Sequence, residues 1–176
     1  VRPHISSRPI SHIVEEVARL VDNGYREIVL TGVHLGHYGV EGNWDRPRDQ
    51  WLRLATLLNA LVQLPGDFRL RLSSIEATEL TRELIDVLAD HAERICPHLH
   101  VCLQSGADDV LRRMRRRWSS RTFINRCDLI RSRLDLPAFT TDVIVGFPGE
   151  TDDDFAQTCQ VVRDVGFSKI HAFPFS

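Results

Sequence analysis

The chain has 176 residues, a formal charge of -2, 43% hydrophobic and 26% charged residues. That is enough for one domain with a real core, and the balance excludes disordered and fibrous classes. No apolar run nears the roughly 18 residues of a membrane span and no leader pattern is visible, so a soluble cytoplasmic protein is expected.

Val1 to Pro9 reads as irregular. Ser11 is expected to cap a helix whose apolar positions are Ile13, Val14, Val17, Leu20 and Val21, with Asn23-Gly24 stopping it. Glu27 to Thr31 is a short buried strand, followed by a loop holding Gly32, Gly36, Gly39 and Gly42. A leucine-rich helix spans Trp51 to Leu64 and closes at Pro65-Gly66. Phe68 to Ser73 is the second strand, and a third helix starts at Thr78 or Thr81 and runs to about His91. Leu99 to Leu103 is the third strand, with helices expected over Asp108 to Arg116 and Arg121 to Leu134. Phe139 to Val145, Asp152 to Val165 and Lys169 to Phe173 complete the chain as strand, helix and strand. The alternation, at roughly 30 to 40 residues per unit, implies right-handed crossovers and a parallel sheet.

The stretch Thr140 to Glu150 organises the rest. It is an apolar strand interrupted by Asp142, then a turn from Gly146 to Gly149, then Glu150. Thr151 caps the next helix, with Asp152, Asp153 and Asp154 at its positive end. A lone carboxylate within a buried strand is costly without a partner, which makes Asp142 a site candidate.

In a parallel α/β fold, function collects where strands end. The ends here are Thr31-Gly32, Ser73-Ser74-Ile75-Glu76, Gln104-Ser105-Gly106, Gly146 to Glu150 and Phe173-Pro174. Such hydroxyl, amide, carboxylate and glycine groups suit a polar small molecule with a flat ring. The plainer reading is ordinary capping chemistry.

Cys96, Cys102, Cys127 and Cys159 show no C-x-x-C spacing and read as reduced, mostly buried thiols. His34 with His37 and His98 with His100 are the histidine pairs from which a metal site could be built. No metal ligand is assigned among them.

Several stretches resemble the radical S-adenosylmethionine methylthiotransferases. They are Glu27 to Gly39, Arg71-Leu-Ser-Ser-Ile-Glu76, His98-Leu-His-Val-Cys-Leu-Gln-Ser-Gly106, Thr141 to Thr151 and Gly166 to Ser176. They cover nearly the whole chain in the family order. The wording Leu-Thr-Gly-Val-His-Leu-Gly-x-Tyr-Gly and Leu-Ser-Ser-Ile-Glu resembles the tRNA N6-threonylcarbamoyladenosine branch most.

The resemblance implies a partial (β/α)6 TIM-like barrel of the radical SAM type, lacking its first strand. It implies S-adenosylmethionine and [4Fe–4S] clusters as cofactors, and methylthiolation of threonylcarbamoyladenosine beside the tRNA anticodon. By position, Thr31 and Gly32 would meet the cofactor's methionine part, and Ser74 and Glu76 its ribose and amino groups. Gln104 and Ser105 lie on the next strand end. The stretch Val143 to Gly149, with Gly146, would pack on the adenine, flanked by Phe173 and Phe175, and Asp142 is counted with the cofactor-binding candidates.

This sequence departs from the family by lacking the C-x-x-x-C-x-x-C cluster motif, expected just before Val1. The first strand, an N-terminal domain and a C-terminal RNA-binding domain are missing too. Residues 1–176 are therefore expected to be a core fragment, inactive alone, with an open sheet edge for self-association. Cys102 stands where the family usually has proline, and Pro3 where it usually has glycine.

Arg112, Arg113, Arg115, Arg116, Arg117 and Trp118 form a basic run that could meet tRNA phosphates and stack on a base. A solvated helix end is the alternative. Two rival functions stand beside the first. One is a sister methylthiotransferase acting on isopentenyladenosine in tRNA or on a ribosomal protein. The other is a non-catalytic nucleotide- or partner-binding module.

Overall fold

The computed structural model describes residues 6–176. Arg2 and Pro3 lie outside the described residues. The chain divides into two compact units. The first takes the described residues up to Ser73 together with Arg82–Cys96; the second takes Ser74–Thr81 and Pro97–Ser176.

In the first unit, α1 (Ile10–Asp22), β1 (Glu27–Leu30), α2 (Leu54–Val62), β2 (Arg69–Leu72) and α3 (Arg82–Asp90) alternate as expected. β1 and β2 are parallel, pairing Glu27 with Arg69 through Leu30 with Leu72. One face of this ladder buries Ile28, Leu30, Leu70 and Leu72 with Leu57, Leu58, Leu61, Leu84 and Ile85. Each such side chain contributes about 1.5–3 kcal/mol by leaving water. The other face is charged: Arg71 makes a two-pronged pair with Glu27 at 2.7 and 3.0 Å, and that bond holds the Glu27 carboxyl below its usual range.

Three boundaries differ from the sequence reading. Helix α1 begins with Pro9 as its N-cap, so Ser11 lies within it; the Pro9 carbonyl accepts from the Ile13 N–H at 3.2 Å and closes the first turn. Helix α2 starts three residues late because Asn43 captures Leu52. Its amide donates to the Leu52 carbonyl and accepts from the Leu52 N–H, both at 2.8 Å, holding that residue out of the helix. Residues Ala77–Glu79 form a separate 3-10 turn ahead of α3, closed by the Glu79 carboxylate on the Glu76 N–H at 3.0 Å.

The second unit holds β3 (His98–His100), α4 (Asp108–Arg113), α5 (Ser120–Arg131), β4 (Ala138–Val145), α6 (Asp152–Val165) and β5 (Lys169–Pro174). Its strands are parallel in the order β3-β4-β5. The expected continuous parallel ladder therefore appears as two runs, with isolated bridges Leu70 to Ile95 in the first unit and Ile75 to Val101 in the second. Phe139, Thr141 and Val143 are buried on one face of β4. Helix α6 carries the expected Thr151 cap, which the structure completes as a capping box: Thr151 accepts from the Asp154 N–H, and the Asp154 carboxylate accepts from the Thr151 N–H at 3.0 Å. No helix among the described residues is long and apolar enough to cross a membrane.

Candidate functional site

β3 is shorter than the sequence suggests because the ladder bulges after His100. Val101 N–H donates to the Thr140 carbonyl and Cys102 N–H to the Ile75 carbonyl on the other side, while the next donor on the β4 side, Leu103 N–H, goes to the Thr141 hydroxyl at 2.9 Å instead of to a carbonyl. Pairing resumes at Gln104, which bridges to Val143. The extra residue re-aims the strand end and leaves Gln104 buried at a φ of 68°, a conformation that costs a non-glycine residue energy.

Ser105 is fully buried and faces α6, with its hydroxyl 3.2 Å from that of Thr158. Gly106 donates to the same Thr158 hydroxyl at 2.9 Å, and a Cβ there would meet the Thr158 Cα at 2.5 Å. Val143 is buried too. Ser105 and Val143 thus support the strand ends from behind.

The turn after β4 closes on itself. Gly146 takes a φ of 78° with open space around it, so backbone conformation alone selects glycine. The Glu150 carboxylate accepts from the N–H groups of both Gly146 and Phe147. Those donors are therefore committed within the protein. Phe147 meets Phe175 edge-on at 5.0 Å, and Phe173 and Phe175 are half exposed rather than core.

Asp142 is not a lone carboxylate. It lies between His100 Nε2 on β3, at 3.2 Å, and His171 Nδ1 on β5, at 3.4 Å. Strand register explains this. Asp142 pairs directly with His171, and His100 pairs with Thr140, two residues before Asp142, so all share one face. His100 Nδ1 in turn lies 2.9 Å from the Thr140 hydroxyl, which is 3.2 Å from His98 Nε2. Sequence reasoning had paired His98 with His100 but missed His171; the two-residue alternation of the strands is the signal that could have found it. The donor atoms of His100, Asp142 and His171 lie within 4.8 Å of one another.

Glu76 lies 3.5 Å from Arg116, and Arg116 sits over the Trp118 ring at 5.6 Å. Trp118 is only 5% exposed, which corrects the expectation that it could stack on a base: its ring is spent on packing. Arg113 is held by the Pro148 carbonyl, Asp154 and the Phe147 ring, and Arg112 by Asp109. Arg115 and Arg117 are exposed. Of the remaining predicted residues, Thr31 and Gly32 are exposed after β1 in the first unit, and Ser74 is exposed at the start of the second.

All four cysteines are free, and Cys96 and Cys127 are buried. Burial first, and then the nearby Asp142 charge, push the Cys102 thiol up to about 11. Among the described residues, neither cluster of converging metal-ligating side chains contains a cysteine.

Residues 1–162 match the family model described as the Radical SAM superfamily. The chain is 45% identical over 172 residues to the threonylcarbamoyladenosine tRNA methylthiotransferase MtaB of Thermotoga maritima, covering 98% of this chain and 38% of that protein. It is 42% identical over 165 residues to the tRNA-2-methylthio-N(6)-dimethylallyladenosine synthase of Corynebacterium urealyticum, covering 93% of this chain and 30% of that protein. Among solved structures, the radical S-adenosylmethionine methyltransferase TsrM of Kitasatospora setae superposes with a TM-score of 0.72 at 15% identity, over 95% of this chain and 31% of that one. That likeness concerns the fold alone.

Proposed function

From the premise that this chain belongs to the radical SAM superfamily, we propose that it forms the cofactor-binding core of a methylthiotransferase acting on threonylcarbamoyladenosine beside the tRNA anticodon. The supporting observation is 45% identity over 172 residues with a protein named for that nucleoside. The 42% identity with a dimethylallyladenosine synthase favours a second reading, methylthiolation of isopentenyladenosine in tRNA.

When bound with a [4Fe–4S] cluster, S-adenosylmethionine supplies the radical that activates the substrate C–H bond. The half-exposed rings of Phe173 and Phe175 fit such a cofactor, because they offer a flat apolar surface for its adenine. In this reading Glu76 and Gln104 offer polar groups at neighbouring strand ends, and Gly146 lets the backbone turn close beside the ligand. Ser74 would reach its polar half. Ser105 and Val143 hold these ends in place, and Asp142 orients its two imidazoles. The free cysteines do not fit a cluster ligand set, so we place the cluster thiolates in the part of the longer relatives that this chain does not span. The 176 residues alone are then inactive. Arg115 and Arg117 are the run's candidates for tRNA phosphates, and the outer edge of β1 is the candidate for self-association, read out as mass by light scattering.

The test is nucleoside mass spectrometry of tRNA from cells with and without the parent gene. Loss of the methylthio group from threonylcarbamoyladenosine supports the first reading. Loss from isopentenyladenosine alone supports the second and refutes the first.

A further inference from the structure

Five side chains on one face of the β3-β4-β5 sheet form a continuous polar array. It runs from His98 Nε2 to the Thr140 hydroxyl at 3.2 Å, and on to His100 Nδ1 at 2.9 Å. From His100 Nε2 it crosses to Asp142 at 3.2 Å, and from Asp142 to His171 Nδ1 at 3.4 Å. An ionised carboxylate only accepts hydrogen bonds, so both facing imidazole nitrogens must present N–H groups. That assigns the His171 proton to Nδ1 and leaves its Nε2 as the outward end of the array. The His171 side chain is 41% exposed there, against 16% for His100 in the middle of the array.

With Nδ1 held by Asp142, a proton that arrives with an incoming anion enters His171 at Nε2, in a direction the array has already fixed. Lys169, exposed and two residues earlier on the same strand, projects from the same face. The end of the array thus sets His171 Nε2 and the Lys169 ammonium on one face of the edge strand β5. The charged and titratable groups facing it are His98, His100, Asp142 and Lys169, with Cys102 beside Asp142. Such a site receives an anion, and His171 donates to it without a partner having to be displaced.

We propose that His171, positioned by Asp142, binds a carboxylate carried on the substituent of the substrate adenosine. This rests on the methylthiotransferase reading above. The threonylcarbamoyl group ends in a carboxylate, whereas the isopentenyl group has no charge and gains nothing from the array. His171 is therefore the residue that discriminates the acidic nucleoside from the apolar one. A charge-assisted hydrogen bond of this kind corresponds to roughly tenfold or more in affinity.

Two experiments test this. In the first, the chain is titrated with N6-threonylcarbamoyladenosine and separately with its methyl ester, and the His171 ring protons are followed by NMR. The acid should shift them and raise their titration midpoint, while the ester should leave them unmoved. Equal responses to both, or none to either, would overturn the proposal. So would micromolar cobalt(II) binding that requires His100, Asp142 and His171 together, since that would assign the array to a metal. In the second, the full-length reconstituted enzyme is assayed on tRNA. His171→Gln should raise KM for threonylcarbamoyladenosine tRNA about tenfold or more while kcat stays within about threefold, and His171→Lys should restore most of the loss. An unchanged KM in His171→Gln would overturn the inference. A wild-type enzyme that leaves threonylcarbamoyladenosine tRNA untouched would instead overturn the functional reading, while the nucleoside titration still decides the array.

Discussion

Gly106→Ala tests the packing that aims the Gln104 strand end. A Cβ at this position would lie 2.5 Å from the Thr158 Cα, 2.9 Å from the Gln157 carbonyl oxygen and 3.0 Å from the Thr158 nitrogen. All three are backbone atoms of α6, so no side chain can swing away. Ordinary carbon contacts lie near 3.5–4.0 Å, and α6 must therefore retreat by about 1 Å. Overpacking of this kind costs about 1–3 kcal/mol. The retreat also loosens the 2.9 Å bond from the Gly106 N–H to the Thr158 hydroxyl, and leaving a buried donor unsatisfied adds about 1–3 kcal/mol. The expected loss is about 2–6 kcal/mol in urea unfolding followed by circular dichroism. Gly42→Ala is the control, because it has open space and no left-handed φ; it should be neutral or stabilise by up to about 1 kcal/mol. A Gly106→Ala midpoint within error of wild type would refute the argument that α6 and this strand end are in hard contact.

Thr151→Ala removes the α6 cap and should cost about 1 kcal/mol, read from the same unfolding curves. Hydrogen bonding from the Thr151 backbone, with its hydroxyl adding to this, holds the Asp154 carboxyl below the usual range. A depressed carboxylate contributes stability above its unfolded pKa and loses it as pH falls through the folded value, so Asp154→Asn should flatten the acid limb of the stability–pH curve. Burial pushes the Cys127 thiol up to about 12; alkylation at pH 8 should therefore leave Cys127 unmodified until denaturant is added, checked by mass spectrometry of digested protein. Arg117→Ala in the full-length enzyme should lower the slope of log affinity for tRNA against log salt by about one. Trp118→Phe should leave that slope unchanged, since the indole is buried.

Much of the fold was legible because its signals are local. The helix repeat, the alternation of strand with helix, the Thr151 cap and the turn from Gly146 to Gly149 each depend on residues within a turn or two of one another. Helix α6 was read with its observed bounds for that reason. Boundaries failed where a distant side chain intervened, as Asn43 does at Leu52 and the Thr141 hydroxyl does at Leu103.

The candidate site divides along the same line. Sequence alone determined that polar and glycine-rich segments end the strands, that Asp142 needs a partner, and that these motifs resemble one enzyme family. Tertiary structure decided what each group is free to do. It set His100 and His171 on either side of Asp142, turned Ser105 toward α6, closed the Gly146 turn with Glu150 and buried Trp118. The physical reason is that a side chain's partners are set by strand register and by which helix covers which face. Those are relations between residues tens of positions apart, and nothing in their immediate neighbours encodes them.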